Sequence, residues 1–187
     1  MFERIVLFVA GAVGDFLSFM LFARFLMQWF RVSFASPVGE FVLAMTNWLV
    51  KPLRRLVPGL FGMDWASLLP VWIIQCLLVA LLYGLSPVAT GVPVTAVLAG
   101  GLVETVRIGL WVLIIALIAS AILSWVNPYS PFAHPVMQIC RPILRPIQKV
   151  LPPVGRFDLS PLVAILLLNV ALLVLDGLRA GVPRWFS

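Results

Sequence analysis

Four long apolar stretches, residues 5–30, 65–85, 102–126 and 160–178, alternate with shorter segments in which polar and apolar side chains recur at helical spacing. Each long stretch approaches or exceeds the roughly 20 residues that a helix needs to cross a bilayer. The segments at 36–57 and 130–151 follow a different rule. On a wheel turning about 100° per residue, Glu40, Asn47, Lys51, Arg54 and Arg55 gather on one side and Val42, Met45, Leu49, Leu53 and Leu56 on the other. Residues 130–151 repeat the division, with His134, Gln138, Arg141, Arg145, Gln148 and Lys149 facing away from Val136, Ile139, Ile143, Ile147 and Val150. Such a pattern predicts an amphipathic helix lying in the membrane interface, its apolar side sunk and its cations at the headgroups. The alternative is a linker whose apolar side packs on the helix bundle.

The chain also matches itself. Residues 30–75 and 124–169 align without a gap at an offset of ninety-four. Eight of the 46 positions are identical (Val32, Ser36, Pro37, Val42, Pro52, Pro58, Asp64 and Leu68), and Lys51, Arg55 and Gln75 are answered by Arg145, Lys149 and Asn169. Matches on prolines, charges and amides are not a by-product of apolar bias, so a duplicated unit is implied. The expected fold is all-α integral membrane: four transmembrane helices as two tandem two-helix repeats, 1–94 and 95–187, each with an interfacial amphipathic helix.

Local signals set the expected boundaries. Ser36 and Ser130 are placed as N-caps with Pro37 and Pro131 at the first helical position. Pro52, Pro142 and Pro146 should bend or break the interfacial helices, and Pro58 and the Pro152-Pro153 pair should keep them from running into the next span. Asp64 and Asp158 stand at the head of the following spans, where a carboxylate caps free N–H groups and meets the positive end of the helix dipole. Salt links from Asp64 to Arg54 or Arg55, and from Asp158 to Lys149 or Arg156, are compatible with that role.

Composition sharpens the picture. With 63% apolar and 11% charged residues in 187 and a mean hydropathy of +1.12, the chain holds more apolar side chains than a globule of its size could hide from water. Asp15 and Arg24 interrupt the first stretch and no small-residue cleavage site follows it, so it reads as a retained helix and not as a signal peptide. Cys76 and Cys140 have no His or Cys at ligand spacing, which argues against a metal site or disulfide and for small packing residues. A net charge of +6 without an aromatic-basic surface domain points to anionic lipid headgroups and not to nucleic acid.

Eight of the 13 Lys and Arg residues lie at 31–64 and 127–158, and four (Arg4, Arg107, Arg179, Arg184) on the opposite side. This bias places the interfacial segments in the cytoplasm. Within the apolar runs stand Asp15, Arg24, Gln28, Gln75, Ser120, Ser124 and Asn169, and intramembrane polar groups are functional candidates by default. Arg24 is expected to snorkel to the headgroups. Gln75 and Asn169, equivalent by repeat, are expected to hydrogen-bond to each other across the internal axis. Asp15 lies beside Gly11, Gly14 and Ser18, small residues that admit another helix; its role is either an interhelical bond or the movement of a proton or cation.

Pro52-Leu-Arg-Arg-Leu-Val-Pro58 followed by Asp64, and Arg145-Pro-Ile-Gln-Lys-Val-Leu-Pro152 followed by Asp158-Leu-Ser-Pro161, resemble the doubled proline-arginine-aspartate motif of the YggT family. The stretch from Arg24 to Trp29, with an acidic residue nine positions before the arginine, fits as well. Two motif copies resemble the long proteobacterial form, and the YlmG proteins of Gram-positive bacteria and chloroplasts are relatives. The resemblance implies a small inner-membrane protein linked, in different lineages, to osmotic-stress tolerance and potassium uptake, cell division, chloroplast cytochrome assembly and nucleoid distribution. It implies no catalytic residues. The copies differ at Ala66-Ser67-Leu68 against Ser160-Pro161 and at Arg54 against Gln148, so they are not interchangeable.

The expected function is therefore non-enzymatic: an inner-membrane protein that organises or assists membrane components, with Lys51, Arg54, Arg55, Arg141, Arg145 and Lys149 as contacts for lipid or a protein partner, a homo-oligomer being compatible. Transport, or modulation of potassium uptake, is the second reading, with Asp15 acting inside the bundle. No phosphate loop, zinc motif, activated nucleophile or carboxylate pair suggests catalysis, and no cofactor is expected. A polar cavity lined by Asp15, Gln75 and Asn169 would favour transport, and a tightly packed bundle with exposed basic helices would favour scaffolding.

Overall fold

The computed structural model describes residues 2–57, 63–85, 93–127, 129–151 and 158–185. These form six helices: α1 (Phe2–Trp29), α2 (Pro37–Leu56), α3 (Trp65–Gly84), α4 (Val94–Val126), α5 (Ala133–Val150) and α6 (Ser160–Trp185). Helices α1, α3, α4 and α6 are long and apolar enough to cross a membrane, giving a multi-pass, all-helical protein. At 33 residues, α4 begins at Val94, well before the apolar run expected from residue 102. Pro58, the Pro152-Pro153 pair and Arg156 lie outside the described residues.

The end of α1 shows how the chain turns from span to interface. Arg31, at φ 53°, is the left-handed residue of a helix terminus in which the Val32 amide donates to Met27 O at 2.7 Å and the Arg31 amide to Gln28 O at 3.1 Å. That pair of bonds satisfies carbonyls the helix would otherwise orphan. Met27 and Val32, both buried, close the motif with an apolar contact. Ser36 then caps α2 as expected, its hydroxyl accepting from the Gly39 amide at 3.2 Å with Pro37 at the first position.

Ser130 does not cap α5. The helix begins at Ala133, and Ser130 lies in the preceding turn, its hydroxyl accepting from the Phe132 amide at 3.3 Å. The linker explains the difference: six residues lie between Trp29 and Ser36 but only four between Trp125 and Ser130, so the shorter path is used up as a turn. Helices α2 and α5 run through Pro52, Pro142 and Pro146 as single helices.

Each copy builds its own core where an interfacial helix meets two spans. Leu21, Val50, Ala66 and Val71 join α1, α2 and α3, and Leu117, Cys140, Leu144 and Ala164 join α4, α5 and α6. A third cluster, including Met27, Val42, Val112 and Ile139, ties the copies together. Helix α4 packs against α1, α3, α5 and α6, while α3 and α6 make no extensive contact with each other. The α3–α4 approach is close enough that a Cβ on Gly101 would stand 3.0 Å from the Cys76 backbone. Small residues at such crossings are what membrane helices use in place of a hydrophobic driving force. Gly14 serves the α1–α3 crossing, whereas nothing approaches Gly11 within 4 Å.

The apolar sides of α2 and α5 are divided between protein and surroundings. Val42, Thr46 and Val50 are buried on the bundle, as are Ile139, Cys140 and Leu144, while Phe41, Met45, Trp48 and Val150 remain exposed. One stripe of each helix packs on the spans, and on α2 the side chains of Phe41, Met45 and Trp48 face outward.

Candidate functional site

The polar residues of the first copy converge where α2 crosses the end of α1. Arg24, 3% exposed, donates to Thr46 Oγ1 at 2.8 Å and Asn47 Oδ1 at 3.0 Å. It does not snorkel as expected. Helix α2 lies across the span end and supplies the acceptors that headgroups would otherwise provide, so the guanidinium turns inward. Arg54 donates to Gln28 Oε1 at 2.5 Å and pairs with Asp64 at 2.7 Å, and the Ser67 hydroxyl donates to the same Asp64 oxygen at 2.6 Å.

Asp64 therefore departs from its expected capping role. It occupies the N-cap position of α3 but its side chain makes no capping bond; its backbone carbonyl accepts from the Ser67 and Leu68 amides. The carboxylate is held by Arg54 and the Ser67 hydroxyl instead, because a charged partner outweighs a backbone amide. Of the two arginines considered for Asp64, Arg54 makes the link and Arg55 remains exposed.

In the second copy the partner is not charged. Gln148 donates to Asp158 Oδ2 at 2.8 Å, and the Ser160 amide to Asp158 Oδ1 at 2.9 Å. Asp158 thus keeps the capping role, and Lys149 does not bond to it. Burial works to raise the Asp158 pKa, but the Ser160 side chain, the Ser160 amide and Gln148 together outweigh it and hold the carboxyl below its ordinary value.

The intramembrane amides also pair differently from expectation. Gln75 donates to Asp15 Oδ1 at 3.1 Å and Ser18 Oγ at 3.2 Å, joining α3 to α1. Asn169 donates to Ile165 O of its own helix. The two amides do not meet, because α3 and α6 each pack on α4 and not on one another. Among the described residues Asp15 stands in an interhelical bond with Gln75, and Asn169 is exposed on α6, away from that pair.

Lys51, Arg55, Arg141, Arg145 and Lys149 are exposed, and Arg54 is partly so beside its pairing with Asp64. Gln138 reaches from α5 to the carbonyls of Phe30 and Arg31 at 3.3 and 3.4 Å, stitching the second copy to the end of α1. On the far side of the bundle, Glu104 pairs with Arg179 at 2.6 Å, and Arg107 lies 3.6 Å from both Glu104 and Asp176. Sequence reading treated those arginines only as topology signals and passed over Glu104 and Asp176. The spacing of 104 and 107, one helical turn, was the available signal. Among the described residues no group of three His, Cys, Asp or Glu is arranged to hold a metal.

Residues 4–85 and 99–179 each match the family model described as CCB3/YggT. A Pseudomonas aeruginosa protein described as uncharacterised is 37% identical over 186 residues, covering 97% of this chain and 94% of its own. The Escherichia coli K12 protein YggT is 35% identical over 167 residues, covering 87% and 85%, and a Haemophilus influenzae protein 32% identical over 174 residues, covering 90% and 92%. No solved structure matches the chain.

Proposed function

The chain belongs to the CCB3/YggT family, and from that premise we propose that it is a non-enzymatic protein of the inner membrane that organises or assists other membrane components through the exposed basic faces of α2 and α5. The observation that carries this reading is the repetition of one arrangement: in both copies a helix between two spans keeps a stripe on the bundle and turns Lys51 and Arg55, or Arg145 and Lys149, outward. A basic face beside exposed Phe41, Met45 and Trp48 suits an anionic headgroup layer or a partner docked at that depth. The bias of Lys and Arg supports a cytoplasmic location for this face, to be read by cysteine-accessibility labelling at the exposed positions 55 and 149. Osmotic-stress tolerance and cell division are the processes in which such an assisting role is proposed.

The test spares Arg54, because its guanidinium holds Asp64. Lys51, Arg55, Arg145 and Lys149 changed together to Gln should leave insertion and helix content intact. Association with phosphatidylglycerol vesicles should fall, since each basic residue near an anionic surface contributes about 1 kcal/mol. Unchanged vesicle association together with an unchanged cellular phenotype would remove the basis of the reading.

A further inference from the structure

The two copies place one carboxylate at one point and surround it differently. Spatial equivalence in the first span runs at an offset of ninety-six and not ninety-four: Leu21 answers to Leu117, both fully buried, and Arg24 against Thr46 answers to Ser120 against Cys140. By that register Arg24 is replaced by Ser120 and Gln28 by Ser124, and by the repeat Arg54 is replaced by Gln148 and Asn47 by Arg141. Two guanidiniums have left the neighbourhood of the carboxylate, and one, Arg141, has appeared on α5 seven residues before Gln148.

The space is open. A cavity of about 500 Å³, lined by Ser120, Ser124, His134, Arg141, Gln148 and Asp158 among others, lies between the end of α4, helix α5 and the start of α6. That volume is within the range of small-molecule sites, about 300–1,000 Å³. Asp158 accepts from Gln148 and the Ser160 amide and has the Ser160 side chain beside it, which still leaves room on a carboxylate with about four acceptor positions. Among the described residues neither Asp158 nor Arg141 takes part in an ion pair. A carboxylate and a guanidinium thus border one cavity without neutralising each other, and the group complementary to both carries a cation and an anion.

We propose that this cavity binds the headgroup of a phosphatidylethanolamine molecule, the ammonium at Asp158 and the phosphate at Arg141. The cavity lies where α4 ends and α6 begins, at the depth of the interfacial helices, so the bilayer itself presents the ligand. A primary ammonium carries three N–H donors for Asp158, the Gln148 carbonyl and the Ser120 and Ser124 hydroxyls. A choline headgroup carries none, and a glycerol headgroup offers Asp158 only neutral hydroxyls, with no positive charge to balance the carboxylate. The first copy has no such site because Arg24 and Arg54 occupy its equivalent with their own cations.

The experiment is native mass spectrometry of the full chain purified in detergent and given an equimolar mixture of phosphatidylethanolamine, phosphatidylcholine and phosphatidylglycerol. One phosphatidylethanolamine per chain should be retained in preference to the others. Asp158→Asn should weaken it at least about tenfold, as loss of a charge-assisted bond requires. Gln148→Arg, which installs the guanidinium of the first copy, should expel it while helix content by circular dichroism stays unchanged. Retention of phosphatidylcholine or phosphatidylglycerol as readily, or unchanged retention in both variants, would overturn the proposal. Equal competition by soluble glycerophosphoethanolamine would replace the bilayer by a dissolved ligand as the source and overturn it likewise. The inference stands apart from the docking role of the basic faces: the variant at positions 51, 55, 145 and 149 should keep its bound phosphatidylethanolamine, so either reading can fail alone.

Discussion

Asp64→Asn should destabilise the fold by about 1–2 kcal/mol, a figure set by the unequal exposure of the pair it breaks. The carboxylate is 3% exposed and Arg54 is 44% exposed. A fully buried pair that loses one partner costs about 3–5 kcal/mol, because the remaining charge is stranded. Arg54 would not be stranded; half in solvent, it rehydrates, which draws the loss toward the roughly 0.2–1 kcal/mol of exposed pairs. Asparagine still offers an acceptor to the Ser67 hydroxyl, so the charge is the main thing removed. A double-mutant cycle with Arg54→Gln isolates the interaction. Measured by unfolding in mixed micelles of increasing dodecyl sulfate content and followed by far-ultraviolet circular dichroism, the coupling should be about 1 kcal/mol. The same cycle on Asp158 and Gln148 should give a smaller value, since the donor there is neutral. A coupling below about 0.3 kcal/mol in the first copy, or one as large in the second, would refute the claim that the copies differ by a charged link.

Asp15→Asn preserves an acceptor for Gln75 and should be tolerated, whereas Asp15→Leu should loosen the α1–α3 contact and lower the amount of protein in the membrane; an Asn variant of normal abundance that loses its cellular phenotype would instead favour proton or cation movement. Cys140, fully buried, has its thiol pushed up to about 12 by burial, with Ser120 opposing in part, and should resist maleimide at pH 8 in the folded protein. An unfolded thiol ionises near about 8.5, so above that pH the folded state holds the extra proton and stability falls as pH rises toward 12; Cys140→Val should flatten this slope, and an unaltered slope would count against it.

Length and hydropathy made the four spans legible, because a helix in hydrocarbon must satisfy its backbone internally whatever surrounds it. The repeat and the helices α2 and α5 were legible for a similar reason: recurring prolines and charges and the division of polar from apolar side chains are local to each segment, although the expected cap at Ser130 and the breaks at Pro52, Pro142 and Pro146 are not found. A link from Asp64 to Arg54 or Arg55 was legible as compatible with the sequence, since the three stand within ten residues of one another. The partners of Arg24, Gln75 and Asn169 were not. A span in lipid is apolar on the side that faces its neighbours and on the side that faces acyl chains, so hydrophobic pattern does not say how it is rotated or which helix stands beside it. Only the packing of α3 and α6 on either flank of α4 gives Gln75 to Asp15 and leaves Asn169 to its own helix. The shift from an offset of ninety-four to ninety-six was decided there too, by a shorter linker that lets Leu117 and Ser120 enter the places of Leu21 and Arg24, and with it the loss of one of the two cations that fill the site in the first copy.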